Sequence, residues 1–260
     1  MILPASYSNG FAPRDGSPLY PELWRGCVGA WSPCLGPTGL TLRDWSGRAN
    51  NGTLTGMDAG TDWAMSGGRY ALDFDGSNDH IPLSLTYSAE VTCSLWVYSR
   101  NITNANGEYF FARWEAVLLD FYVGAFSSGW IARTGNGSTG QSSLLSTPAQ
   151  LNTWTHLCLT RTPSLLTLTV NGTTSVSTSS VGFQGSAVSN TFISRLSPSS
   201  GLYADALVDD IRVYSRAISS QENRLIASRR GIAYEMAARR RSSSAVQVNR
   251  RRRLLIGAGS

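Results

Sequence analysis

Residues 69–83 read RYALDFDGSNDHIPL and residues 207–225 read LVDDIRVYSRAISSQENRL. The first is a strand, a tight Asp75-Gly76 turn and a second strand, and it follows a Gly/Asn-rich turn at residues 45–54, WSGRANNGTL. The second is a strand that runs into a short helix. Between these two frames lie only short β-type runs and polar turns. The layout predicts a β-sandwich closed by its own two ends, an architecture that more often binds than transforms.

The intervening runs come at short, even spacing: VTCSLWVYS, EYFFARW, AVLLDFYVG, GWIART, TWTHLCLTR, LLTLTVNG and TFISRL. Several alternate. In TWTHLCLTR, Trp154, His156, Cys158 and Thr160 share one face, and Thr155, Leu157, Leu159 and Arg161 the other. LTVNGTTSV is a hairpin, because Asn171-Gly172 suits the positive φ angles of a type I′ turn. Many short strands with no helical pattern between them specify an all-β fold. The predicted form is a two-sheet antiparallel jelly-roll sandwich with a short C-terminal helical, Arg-rich tail.

Composition agrees. Hydrophobic residues make up 42% of the 260, enough for a real core, while only 15% are charged. There is no lysine, and all 22 basic residues are arginine. Residues 224–260 hold ten arginines against one glutamate, whereas residues 1–223 hold twelve against sixteen acids. A near-neutral body with a basic tail suggests a separate partner for the tail.

Three regions follow. Residues 1–25 are predicted to be an extended Pro-rich arm, with Pro4, Pro13, Pro18 and Pro21 among large apolar residues such as Tyr7, Phe11 and Trp24. Proline at that density opposes helix and central strand. Residues 26–220 are the sandwich. Residues 221–260 are the tail: Ser219 and Glu222 form a capping-box start for SSQENRLIASRR, Gly231 is expected to end that helix, and a second helical stretch and two arginine runs follow. The first 24 residues have no basic start and no long apolar core, so no secretion signal is expected, and no run reaches membrane-spanning length. Cys27, Cys34, Cys93 and Cys158 are accordingly expected to be reduced thiols, with a small Cys27–Cys34 loop disulfide as the open alternative.

The body resembles a laminin-G-like, concanavalin A-like jelly-roll domain over about residues 28–227. The resemblance rests on an ordered series: GLTLRDWSGRANNGTL, RYALDFDGSNDHIPL, VTCSLWVYS, NTWTHLCLTR, LTLTVNG and ALVDDIRVYSRAISSQEN. It implies two sheets packed face to face with the domain's first and last strands adjacent. It also makes carbohydrate binding an expectation, with Trp114, Tyr122, Trp130 and Tyr203 as candidate stacking rings. Related jelly rolls include glucanases. Their paired carboxylates on one strand have no Glu-x-Asp-x-x-Glu counterpart here, and no G-x-S-x-G or P-loop is present, so no enzyme is predicted. His156 reads as a core residue. No cofactor is required, but Asp75, Asn78 and Asp79 on one turn, with Asp210 from the closing strand, form a candidate Ca²⁺ set of hard oxygen donors.

The terminal extensions point to a structural protein of a large assembly. The expectation is a phage virion surface or capsid decoration protein, assembled in the host cytoplasm and homo-oligomeric. Its anchors would be Tyr7, Phe11, Trp24, Arg239, Arg240, Arg241, Arg250, Arg251, Arg252 and Arg253. The alternatives are a lectin-like module for host glycans and a nucleic-acid-associated protein acting through the arginine tail. No membrane partner is expected.

Overall fold

A computed structural model describes residues 20–86, 89–101, 107–115, 118–126, 129–135, 142–180, 188–198 and 201–233. Tyr7, Phe11 and the two arginine runs lie outside the described residues, as does the second helical stretch from residue 234 onward. The strands are β1 (Cys27–Trp31), β2 (Thr41–Leu42), β3 (Gly52–Thr53), β4 (Trp63–Ser66), β5 (Arg69–Asp75), β6 (Ile81–Thr86), β7 (Val91–Ser99) and β8 (Glu108–Glu115). They continue with β9 (Leu118–Phe126), β10 (Gly129–Gly135), β11 (Ser142–Pro148), β12 (Thr155–Arg161), β13 (Leu165–Val170), β14 (Thr174–Ser179), β15 (Val188–Ile193) and β16 (Asp205–Tyr214). One helix, α1 (Ser220–Ala227), follows.

All the pairings are antiparallel. The first sheet runs β14-β13-β12-β7-β16-β5-β4, with β1 on the far half of β16; the second runs β11-β10-β9-β8-β15-β6. The chain thus forms a jelly-roll sandwich, and its first strand pairs with its last. Inward residues of the first sheet (Leu72, Phe74, Leu95, Val97, Leu157, Leu159, Val208) meet Ile81, Leu83, Phe111, Phe121, Val123 and Trp130 of the second in one core. β6 alternates strictly, with Ile81, Leu83 and Leu85 buried and Pro82, Ser84 and Thr86 exposed. Pro82 fits there because β6 is an edge strand and its missing N–H removes little from the ladder.

The WSGRANNGTL turn is built on Asp44. Its carboxylate accepts from the Ala30, Ser46 and Asn50 backbone N–H groups at 2.9, 2.8 and 2.9 Å, and from the Ser46 hydroxyl at 2.8 Å. Asn51 Oδ1 in turn accepts from the Asp44 N–H at 2.9 Å. The stretch is therefore architectural: it ties the loop to β1. At the other end, Asn171 and Gly172 have φ of 52° and 70°, as a type I′ turn requires. A Cβ at Gly172 would also lie 2.8 Å from the Ala227 Cβ, so glycine lets this turn touch α1. The predicted capping box is present, and the Glu222 carboxylate is further clamped by the Arg216 guanidinium.

Several boundaries differ from the sequence reading. β1, β3, β4 and β11 were not anticipated, because their short or polar runs carry little alternation. α1 ends at Ala227, and Gly231 (φ 75°) turns the chain four residues later. Leu23, Trp24, Cys27, Ala30, Tyr214, Ile226, Ile232 and Ala233 form a second buried cluster on the outer face of the first sheet. Trp24, expected to anchor the arm on another molecule, is instead 3% exposed and sits under the Arg212 guanidinium, 5.6 Å from its ring. Among the described residues the packed body therefore runs from 20 to 233. The four cysteines are free and buried.

Candidate functional site

The outer faces of the two sheets are occupied differently. On the first, α1 and the segment after it cover a buried polar network. The bulge between Asp209 and Arg212 places Asp210 at φ 46°. Asp210 pairs with Arg212 at 3.2 Å with both side chains fully buried, and it accepts from the Ser32 hydroxyl at 3.2 Å. Asp209 pairs with Arg230 at 3.2 Å, and the Arg230 guanidinium stacks 4.1 Å from the Trp154 ring. Burial, with Asp210 adding to it, pushes the Asp209 carboxyl up to about 7 despite Arg230. His156 is buried in this face as predicted, bonded to Ser94 Oγ at 2.8 Å and packed edge-on against Trp96.

Asp210 is thus not near the Asp75 turn. β16 faces β5 at Asp205↔Asp75, five positions from Asp210, or roughly 16 Å along the strand. The turn's own carboxylates hold the turn: Asp75 Oδ1 accepts from Ser77 N at 2.8 Å, and Asp79 Oδ2 from Asp75 N at 3.2 Å. Burial pushes Asp79 up to about 6. Among the described residues no three His, Cys, Asp or Glu side chains are grouped to hold a metal. Of the four donors expected for Ca²⁺, Asp75, Asn78 and Asp79 share the turn and Asp210 does not join them.

The outer face of the second sheet is mixed: Tyr109, Ala112, Tyr122, Ile131 and Phe192 are buried, Trp114 is half-buried, and Pro82, Ser84 and Asn190 are exposed. One cross-strand row runs Arg133, Tyr122, Ala112, Phe192, Pro82; the next pairs Trp114 with Asn190 and Asn190 with Ser84. Tyr109 stands edge-on to Tyr122 at 5.0 Å, and both pack with Ile131, Leu196 and Leu202. At the sheet's end the bridge Arg195↔Tyr203 brings a second group together. The Arg195 guanidinium lies 5.5 Å from the Phe192 ring and 5.6 Å from the Tyr203 ring, and 3.2 Å from His80 Nε2. Burial, and then Arg195, hold the His80 imidazole below its ordinary range against the Asn78 carbonyl bond. It is therefore neutral beside the guanidinium at pH 7. Beside this group lies a groove of about 610 Å³ between the Ala49–Thr53 loop and the β6–β15 face, lined by Asn50, Asn51, Thr53, Ser84, Asn190 and Phe192. Phe192 is 6% exposed, so of the aromatic rings only the half-buried Tyr203 and Trp114 can present a face for stacking beside these amides, hydroxyls and the Arg195 cation.

Of the four predicted rings, Trp114 and Tyr203 are half-buried on this face. Tyr122 is on it but only 6% exposed. Trp130 is not on it: at 1% exposed it faces Phe110 in the main core, because β10 turns it inward. Sequence reading missed Phe192, Arg195, His80 and Asn190. The available signal was the opposite phase of Phe192 to the inward Ile193.

Residues 74–222 match the Laminin_G_3 family, described as the concanavalin A-like lectin/glucanases superfamily, and the chain belongs to it. No curated protein matches it in sequence. Its fold is similar to the receptor-binding domain of botulinum neurotoxin C/D mosaic serotype, at 14% identity and a TM-score of 0.62, over 79% of this chain and 51% of that one. It is also similar to botulinum neurotoxin type C, whose cell entry depends on interaction with two ganglioside molecules (11% identity, TM-score 0.61, 79% of this chain and 51% of that one). A Trypanosoma rangeli sialidase in complex with a difluoro-KDN compares at 15% identity and a TM-score of 0.60, over 78% of this chain and 32% of the enzyme. The chain spans about half the length of the toxin domains and about a third of the sialidase.

Proposed function

We propose that this chain is a non-catalytic glycan-binding sandwich that recognises sugars through the outer face of its second sheet. The carrying observation is the group formed by Phe192, Arg195, Tyr203 and His80 at the end of an open, amide- and hydroxyl-lined groove. The similar toxin domains are receptor-binding, and one depends on gangliosides, which supports the reading. A binding rather than catalytic role is further supported by the two histidines: one is sealed in the first sheet and the other held between rings. Glycan-array binding followed by titration tests it. Wild type binds a defined oligosaccharide, and Trp114→Ala and Tyr203→Ala each weaken it about tenfold or more, on the order of the 1.4 kcal/mol that a tenfold change represents. A wild-type protein silent on the array, or alanine variants that bind unchanged, overturns it.

The sandwich is carried within a larger assembly, in our reading a phage virion surface. The support is compositional: residues 1–19 hold three prolines among large apolar side chains, and residues 234–260 hold seven arginines. Removing residues 1–19 or 234–260 is expected to abolish incorporation into the particle while leaving the sandwich folded. Normal incorporation of both truncated chains, judged by sedimentation of particles, would reject that role.

A further inference from the structure

The two ends of the described body meet at one pole of the sandwich. Arg216 ties them together: its guanidinium donates to the Glu22 and Arg25 carbonyls at 3.0 and 2.7 Å and to the Glu222 carboxylate of α1 at 3.0 Å. Tyr20 packs on the same buried cluster as Ile232 and Ala233, and its hydroxyl accepts from the Arg229 guanidinium at 3.3 Å. Residues 1–19 and 234–260 therefore join the body at a single place.

Charge is sorted toward that place. Residues 20–25 and 216–233 hold five arginines and two glutamates. Arg216 is matched by Glu222, and Arg230 by the buried Asp209. Arg25, Arg224 and Arg229 are exposed, and the other carboxylate of these segments, Glu22, is half-buried. Residues 234–260 add seven arginines against one glutamate. Acids gather at the far end of β16, where Asp205 faces Asp75 and Leu207 faces Asp73, roughly 30 Å along the strand from Tyr214 in the cluster. Such a field draws a polyanion to one pole and repels it from the other.

The rings at the rim of this pole do not suit base stacking. Tyr20 and Trp45 are half-buried, Tyr20 bonded to Arg229 and Trp45 covered by the Arg43 guanidinium 4.3 Å from its ring. What the pole presents is guanidinium forks, which match phosphate oxygens two at a time. Runs of three and four consecutive arginines in the tail call for an equally dense row of anions. A nucleic-acid duplex carries one charge per about 1.7 Å of axis, far denser than carboxylates scattered over a folded protein.

We infer that this pole binds duplex DNA through its phosphates, without reading sequence. Arg25, Arg224 and Arg229 form the footprint on the body, and the arginines that follow Ala233 extend it along the same duplex. The surface is separate from the groove on the second sheet and stands whether or not that groove binds sugar.

The test uses the full chain and a short mixed-sequence DNA duplex, with affinity followed by fluorescence anisotropy between about 50 and 200 mM salt. Wild type is expected to lose about a thousandfold or more in affinity over that range. Each arginine that meets a phosphate contributes about 0.9 to the slope of log K against log salt, so Arg25→Gln, Arg224→Gln and Arg229→Gln combined should flatten it by about 2.7. All three positions are exposed, and an unchanged melting midpoint checks the fold; if the combined variant unfolds, Arg224→Gln alone should flatten the slope by about 0.9. Absence of binding by wild type overturns the inference. An unchanged slope in the variants overturns it too, because the tail alone would then hold the duplex. Tighter binding to the single strand of the same sequence overturns the duplex assignment. Polyglutamate that displaces the duplex at equal charge concentration also overturns it, and makes an acidic protein surface the partner of this pole.

Discussion

The two outer faces of this sandwich are built from similar strands and are covered to different extents. The first is sealed over β7: its outward Thr92, Ser94 and Trp96 are buried, Thr92 bonding the Arg216 carbonyl and Ser94 bonding His156. The second leaves Trp114, Arg195 and Tyr203 half-buried and Asn190 exposed. Order on the first face comes from ion pairs taken out of water, which stabilise only while both partners stay in place. Order on the second comes from ring contacts that keep one side wet. Residues 20–24 and 218–233 thus help close one sheet's outer face, while the other keeps Trp114, Tyr203 and Asn190 in contact with solvent.

The largest effects should fall on the sealed face. Asp210→Ala strands the Arg212 guanidinium in a fully buried site, and about 3–5 kcal/mol of stability should be lost. Trp24→Ala empties the second cluster at a similar magnitude, about 3–5 kcal/mol. Tyr203→Ala on the second face should change stability by well under that, within about 1 kcal/mol, while weakening glycan binding about tenfold or more. Denaturant unfolding of the three variants checks the contrast; equal losses at Trp24 and Tyr203 would break it. Gly172→Ala comes next. It forces a Cβ into left-handed backbone and against Ala227, so a loss of about 1–2 kcal/mol is expected, with α1 loosened in hydrogen exchange.

This division was only partly legible in the sequence. The alternation of β6 and β12, the Asn171-Gly172 turn and the Ser219–Glu222 cap are local, and local chemistry sufficed to read them. Trp24 was misread because proline density at residues 4–21 says extended, but nothing in that pattern says which surface the chain lies on. Trp130 was misread for a related reason. On a strand, ring orientation depends on register, and β10 offers Trp130 and Ile131 as near-equal candidates for the core. The Arg195 group is invisible in sequence, since His80, Phe192 and Tyr203 meet only through the β6–β15 pairing and an isolated bridge.

Acidity should also separate the faces. Burial pushes Asp209 up to about 7, so the folded chain keeps a proton that the unfolded chain releases above about 4. The stability tied to that proton is fully present below the unfolded value and is lost as pH rises through about 7. His156 acts in the opposite sense. Burial holds it neutral down to about 3, so its share is present above the unfolded value near 6.5 and is lost as pH falls. Asp209→Asn should therefore flatten the decline in melting temperature between about pH 4 and pH 7, whereas the Trp114→Ala profile should parallel wild type. An undiminished decline in Asp209→Asn would show that the sealed face does not carry it.

The smallest effect is expected at the Asp75–Asp79 turn, where β5 leaves the first sheet and β6 enters the second. Asp75 Oδ1 and Asp79 Oδ2 already accept the backbone N–H bonds that shape the turn. Asp210, the fourth proposed donor, is locked to Arg212 on the sealed face. A ligand that bound this turn would stabilise the fold in proportion to its affinity, by RT ln(1 + [L]/Kd). Millimolar Ca²⁺ and chelator should therefore give the same melting midpoint at pH 7. A rise with Ca²⁺ that disappears in Asp75→Asn would mean that the turn reorganises into a metal loop at the border of the two sheets, and that the second face begins with an ion rather than with His80 and Tyr203.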